Sequence, residues 1–169
     1  MQLMPDSPLR RAALEVEAHV RAEGWDQSPR LFALVSTADL IAREPGLAGQ
    51  LSDDPYSLTP VEQELDGSRE LEDLLTEIEW PDAVIGCAAV IERLMLPPDA
   101  EESLPHDPEA LLAAAAAHPD RREVRLTAAV TRDGRSHSAV RAREPLDAEL
   151  LEGPDLVPGL IEHLRGTLS

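Results

Sequence analysis

The chain has 169 residues, 43% of them hydrophobic, and carries 33 acidic against 15 basic side chains for a formal net charge of −18. That length supports a core without metals or disulfides. A field this negative repels phosphate backbones and anionic headgroups, so nucleic acid and membrane surfaces are poor partners.

All 15 bases are arginine, and the chain has neither lysine nor asparagine, the mark of a GC-rich genome. A single cysteine rules out an internal disulfide and fits a reducing compartment. The opening MQLMPDSPLRRAALEVEAHV places charges where a signal peptide needs its apolar stretch. No span approaches the roughly 18 apolar residues of a membrane helix. The expectation is a cytoplasmic protein folded as a single domain over residues 1–169.

In chain order, Ser7-Pro8 predicts a helix start, with Leu9, Ala13, Val16 and Val20 at helical spacing and Gly24 as its left-handed end. Trp25 is expected to fold back on Val20. Leu31 to Val35 is a short buried strand. Ser36 or Thr37 then caps a helix that Pro45-Gly46 interrupts, and Leu47 to Leu51 suits a further short turn. Pro60 confines Leu58 to Leu65 to a sheet edge. Ser68 is expected to cap a helix from Arg69 to Glu79, with Leu71, Leu74, Leu75 and Ile78 on its apolar stripe.

The stretch from Trp80 to Pro98 is the predicted centre. Ala83, Ile85, Cys87, Ala89 and Ile91 fall on one side of a pleat, and Val84, Ala88 and Val90 on the other. A strand covered on both faces reads as such a run. A helix capped by Asp82 is the rival, but Gly86 and the β-branched pairs weigh against it. Fully extended, the stretch would span about 50 Å, more than the width of about 40 Å expected of a compact domain. A bend is therefore expected at Gly86 or near Glu92-Arg93.

Asp107-Pro108 opens an alanine-rich helix to His118-Pro119. A hairpin follows. A three-residue loop, Arg132-Asp133-Gly134 with Gly134 left-handed, sets Leu126 opposite Val140 and Val124 opposite Ala142, whereas a two-residue turn mixes the faces. After a Gly153-Pro154 break, Asp155 is expected to cap a last helix through Leu156, Leu160, Ile161, Leu164 and Leu168. The fold class is α/β of the α+β kind, with about five helices on a mixed, mostly antiparallel sheet of about five strands.

Motifs for catalysis are missing. Cys87 lies mid-strand and reads as packing material. The five histidines (His19, His106, His118, His137 and His163) have no ligand spacing. There is no calcium loop, dinucleotide fingerprint, Walker motif or nucleophile elbow. No catalytic residue, cofactor or metal is assigned.

The polar face of the hairpin is the best constellation. Its register places Arg125 opposite Arg141, Glu123 opposite Arg143 and Ala129 opposite His137, with Arg135 near the tip. Facing like charges destabilise a sheet unless something acidic lies over them. Either the chain's own acids cover them, for instance the helix from Glu70 to Glu79, or they form a docking face for a carboxylate-rich or anionic ligand.

Gly24-Trp25-Asp26 leading through Pro29 into Arg30-Leu31-Phe32-Ala33-Leu34-Val35, Trp80-Pro81-Asp82-Ala83-Val84 with Gly86-Cys87, and Asp155-Leu156-Val157-Pro158-Gly159-Leu160 form a pattern, joined by His118-Pro119 and Glu123-Val124-Arg125-Leu126. Over nearly the whole chain it resembles an uncharacterised family of small acidic actinobacterial proteins. The resemblance implies a cytoplasmic location and a GC-rich source. It brings no activity and no catalytic residue.

The favoured reading is a non-enzymatic binding or adaptor protein, monomer or homodimer, whose partner is another protein. One alternative is a small-ligand-binding protein or enzyme with a site at Trp25, Asp26 and the hairpin residues Arg125, Arg135, His137, Arg141 and Arg143. The other is a structural homodimer.

Overall fold

The computed structural model describes residues 7–51, 54–95, 107, 109–110, 122–144 and 149–168. Six strands, β1 (Arg30–Ser36), β2 (Leu58–Gln63), β3 (Val84–Met95), β4 (Arg122–Thr131), β5 (Ser136–Ala142) and β6 (Leu151–Gly153), form one sheet in the order β2-β1-β3-β4-β5-β6. Its pairings are all antiparallel among the described strands. Four described α-helices accompany it: α1 (Pro8–Ala22), α2 (Thr37–Arg43), α3 (Leu71–Leu75) and α4 (Pro158–Gly166). The expected α+β class is what is found, with six strands instead of about five and no parallel pair among them. Strand β6 has three residues, too few for alternation to register in a sequence. The helix between β1 and β2 belongs to a connection between antiparallel neighbours, so it brings no parallel crossover.

The central position of β3 follows from its residues. Cys87, Ala89 and Ile91 pack with Leu31, Leu71, Leu75, Ile161 and Leu164 on the face covered by α3 and α4. Ala88 and Val90 pack with Leu9, Val16, Val20 and Phe32 on the face covered by α1. Both phases of the strand are therefore interior, as the unbroken apolar run requires. The expected irregularity lies beside Gly86: Leu34 pairs with Gly86 but Val35 with Val84, so Ile85 is the extra residue of a bulge. At Gly86 the neighbouring strand comes so close that a Cβ would lie 2.2 Å from the Val130 carbonyl oxygen.

The hairpin adopts the predicted register, with Leu126 opposite Val140 and Arg125 opposite Arg141. Gly134 has φ +89°, and the Thr131 N–H closes the three-residue loop on the Arg135 carbonyl at 3.0 Å. Helix α1 also starts as read: the Ser7 hydroxyl accepts from the Arg10 N–H at 3.0 Å, and Gly24 ends the helix at φ +88°. Pro60 lies in the edge strand β2.

Several local expectations change. Helix α3 spans only Leu71–Leu75, and Ser68 bonds to Asp66 instead of capping it. Acids crowd both ends of this segment and repel at helical spacing. The chain leaves the helix through i→i+3 bonds from Glu77 to Leu74 and Ile78 to Leu75. Leu71 and Leu75 still reach the core. Helix α4 begins at Pro158 after Val157, without a side-chain cap, so Asp155 does not play that part. Pro158 supplies a pre-set φ at a position needing no N–H. The alanine-rich run 111–121 lies outside the described residues; Asp107 accepts from the Ala110 N–H at 3.1 Å, as a cap would.

Arg132, read from sequence only as a turn residue, gathers four carbonyls. It donates to Val84 (2.7 Å), Leu168 (2.8 Å), Trp80 and Pro81 (3.1 Å each), tying the hairpin tip to the start of β3 and the end of α4.

Candidate functional site

The arginine side of the hairpin lies beneath α1 and the turn that follows it, not beneath the segment from Glu70 to Glu79. Glu17 explains why. It sits three residues before Val20 and four after Ala13, an acid on the apolar stripe of α1, and is buried. Its Oε1 accepts from Arg141 Nε at 2.5 Å. The acidic helix segment meets the sheet elsewhere, where Glu72 accepts from Arg93.

The turn builds a corner over the end of the hairpin. Gly24 and Asp26 are both left-handed, the latter at φ +68°, a region sparsely used by residues with a side chain. Bonds on both sides of Asp26 hold it there. Its N–H and that of Gln27 donate to the two oxygens of Glu92 at 2.9 and 3.1 Å. Its carboxylate accepts two bonds from Arg143 at 2.9 and 3.1 Å. The Arg143 guanidinium holds the Asp26 carboxyl below the usual carboxylate range. The geometry points the Trp25 ring at arginine: the Arg125 guanidinium lies 4.3 Å from the ring centroid and that of Arg143 5.6 Å, within cation–π range.

Arg125 is the unusual member. Its side chain is 0% exposed, and Nη2 donates to the Gly24 carbonyl and stands 3.5 Å from Glu92 Oε2. Nε and Nη1 have no hydrogen-bond partner among the described residues. Val20, Gln27, Ser28, Val90, Ile91 and Glu92 close around this side chain without room for a water molecule. The structure thus gathers Trp25, Asp26, Arg125 and Arg143 at one corner, with Arg141 alongside under α1.

Two other candidate residues lie apart. His137 is buried and shares Glu152 with Arg10: His137 Nε2 is 2.9 Å from Glu152 Oε1, and Arg10 donates to both carboxylate oxygens at 2.9 and 3.1 Å. Arg135 is exposed at the hairpin tip, 3.3 Å from Asp133. Sequence reasoning missed Glu17, Glu92 and Glu152. An acid on the stripe of α1 was the readable signal for Glu17. The other two depend on strand neighbours that no local pattern specifies.

Glu152 gives the group a pH dependence. Its carboxyl is held below the ordinary value of 4.5, chiefly by the Arg10 hydrogen bonds, with His137 adding to them and burial opposing. A carboxyl depressed in the folded state stabilises fully above its unfolded value and loses that contribution as pH falls through the folded one. Thermal unfolding followed from neutral pH to well below 4.5 should therefore show a steeper loss for the parent than for Glu152→Gln. Parallel curves would refute the linkage.

Cys87 is 0% exposed, with Sγ 3.6 Å from Thr167 Oγ1 and 3.8 Å from the Leu164 carbonyl. Burial pushes its thiol up to about 11. About one thiol in ten thousand is then ionised at pH 7. The native protein should resist a thiol-specific disulfide reagent and react fully once denatured. Rapid native labelling would contradict this packing role.

Among the described residues no group of three or more His, Cys, Asp or Glu side chains is placed to hold a metal, and no helix is long and apolar enough to cross a membrane. Fold and site together define a small α+β protein with a hairpin whose Arg125, Arg141 and Arg143 are engaged by its first helix and the turn after it. Family comparison matches residues 9–169 to the PPA1309-like protein family, and the chain belongs to that family. No curated protein and no solved structure matches the chain.

Proposed function

We propose that the protein is a non-enzymatic binding or adaptor protein of the actinobacterial cytoplasm whose acidic exterior docks a basic protein partner. One observation carries this reading. Arg141 and Arg125 turn inward onto Glu17 and Glu92 and Arg143 is tied to Asp26, while Glu15, Glu64, Glu70, Asp73, Glu79 and Asp82 remain exposed. The described surface thus keeps these acids in a chain whose formal net charge is −18. Such a field speeds encounter with a positive surface and suppresses acidic competitors. The single cysteine, the arginine-only bases and the family motifs support the location and source.

Affinity capture without crosslinking tests the reading. A recurrent basic partner should be retained at low salt and released when added salt shortens the Debye length to about 3 Å. The variant Glu64→Arg with Glu70→Arg should retain less of it. No reproducible partner, or one indifferent to both salt and charge reversal, overturns the proposal.

A second reading, a small-ligand site at the Trp25–Asp26 corner, is favoured by Arg125, a fully buried guanidinium whose Nε and Nη1 have no hydrogen-bond partner among the described residues.

A further inference from the structure

We infer that the groove between α1 and the edge strand β2 is where the basic partner docks, by seating one of its arginine side chains there. This gives the basic-partner reading above a place on the fold, and rests on that reading. Helical spacing sets Glu15, His19 and Glu23 on one flank of α1. Cross-strand pairing puts Pro60 opposite Leu34 and Glu62 opposite Phe32, on the sheet face that α1 covers. Between the two rows lies a cavity of about 380 Å³, with buried Val16 and Phe32 as its floor and Glu15, His19 and Glu62 at its rim. That is space of the size in which proteins hold ligands, which runs from about 300 Å³ upward. A second cavity, of about 500 Å³, opens beside Arg30 and Glu64. Glu62 lines both, so the two meet at that residue.

An acidic rim alone would be a solvated surface; the independent observation is a guanidinium already seated in the groove. Arg30, with its side chain 15% exposed, donates to both oxygens of Glu62 at 2.7 and 2.6 Å. It bonds Glu23 on the helix side and stands 3.3 Å from His19 Nε2. Its guanidinium lies 5.8 Å from the centre of the Phe32 ring. A bidentate carboxylate and an aromatic ring are the contacts by which proteins recognise arginine.

Arg30 uses only the middle of the groove. Glu15 lines one cavity and Glu64 the other, both are exposed, and neither has a hydrogen bond or ion pair among the described residues. Four carboxylates, Glu15, Glu23, Glu62 and Glu64, thus stand around one guanidinium. The complementary charge is a cation supplied from outside, and the field of a chain at −18 draws it in. Arginine fits better than lysine, because its planar fork matches carboxylates on two walls and is less strongly hydrated than an ammonium.

The test uses the full chain and a capped alanine-based peptide bearing two arginines, with its lysine counterpart. The chain has a single phenylalanine, so a ring label on Phe32 reports on the floor of the groove alone. In an NMR titration at low salt, the Phe32 ring and the amides of Glu15, His19 and Glu62 should move saturably with the arginine peptide. The lysine peptide should bind more weakly. Glu15→Gln should weaken the arginine peptide about threefold, the scale of one partly exposed ion pair. Glu79→Gln, which removes an exposed acid outside the groove, should leave it unchanged. Equal weakening by both variants, or shifts spread over the surface without saturation at Phe32, overturns the groove and leaves the wider reading standing. Movement of the same resonances on concentrating the chain without peptide assigns the groove to a second copy and overturns the inference. If the arginine peptide binds nowhere, groove and basic-partner reading fall together.

Discussion

Arg141→Ala should cost the protein about 3–5 kcal/mol, the usual penalty for leaving one member of a buried ion pair alone. The pair is Glu17 with Arg141, whose side chains are 5% and 13% exposed. Removing the guanidinium leaves a carboxylate fixed on the buried stripe of α1, facing the apolar side chains that hold the helix to the sheet. For a chain of this size the loss lowers the unfolding midpoint by roughly 10 °C. Replacing both partners, with Glu17→Leu and Arg141→Met, should recover most of it, because no charge is then stranded. Calorimetry of the two singles and the double closes the cycle. A loss below about 1 kcal/mol in Arg141→Ala would show the pair to be exposed in solution.

Gly86→Ala is the second large effect. The added methyl would stand 2.2 Å from the Val130 carbonyl oxygen and 3.2 Å from Thr131 Cα, atoms of the β4 backbone that cannot rotate away. The ladder between β3 and β4 must separate locally, next to the bulge at Ile85. A cost of about 3 kcal/mol, the upper end for overpacking, is expected from chemical denaturation. Gly46, Gly49 and Gly67 have no atom within 4 Å of a built Cβ, so alanine there is the matched control. Equal stability of Gly86→Ala and these controls would mean that the strands are not so closely apposed.

Several parts of this architecture were legible because their determinants are local. Face matching in the hairpin admits one loop length, and β3 shows its double burial in eight consecutive small or apolar residues from Val84 to Ile91. The Ser7 cap and Gly24 ending follow from chemistry within a few residues. The cover over the arginines is different. With 33 acids in the chain, any of several segments could neutralise them, and the choice of α1 over the Glu70–Glu79 stretch is made by tertiary packing. Helix α3 fails for a related reason: its apolar spacing is sound, but only Leu71 and Leu75 are fully buried, and the acids around them prevent a longer helix. The arginine partners of Trp25 were not legible because ring stacking on Arg125 is a contact across 100 residues of chain. Of the candidate site, the residue types and a cover by the chain's own acids were readable, and which acids supply that cover was not.

The ion pairs that fasten α1 and its turn have a kinetic consequence. Arg10 with Glu152, Glu17 with Arg141 and Asp26 with Arg143 join residues 142, 124 and 117 positions apart. Contacts so distant along the chain raise the contact order, and their loop-closure entropy must be met before any of them forms. During synthesis the helix emerges long before the strand it docks on. Its stripe of Leu9, Ala13, Val16 and Val20 then waits uncovered, so a holding chaperone would find its target on that helix.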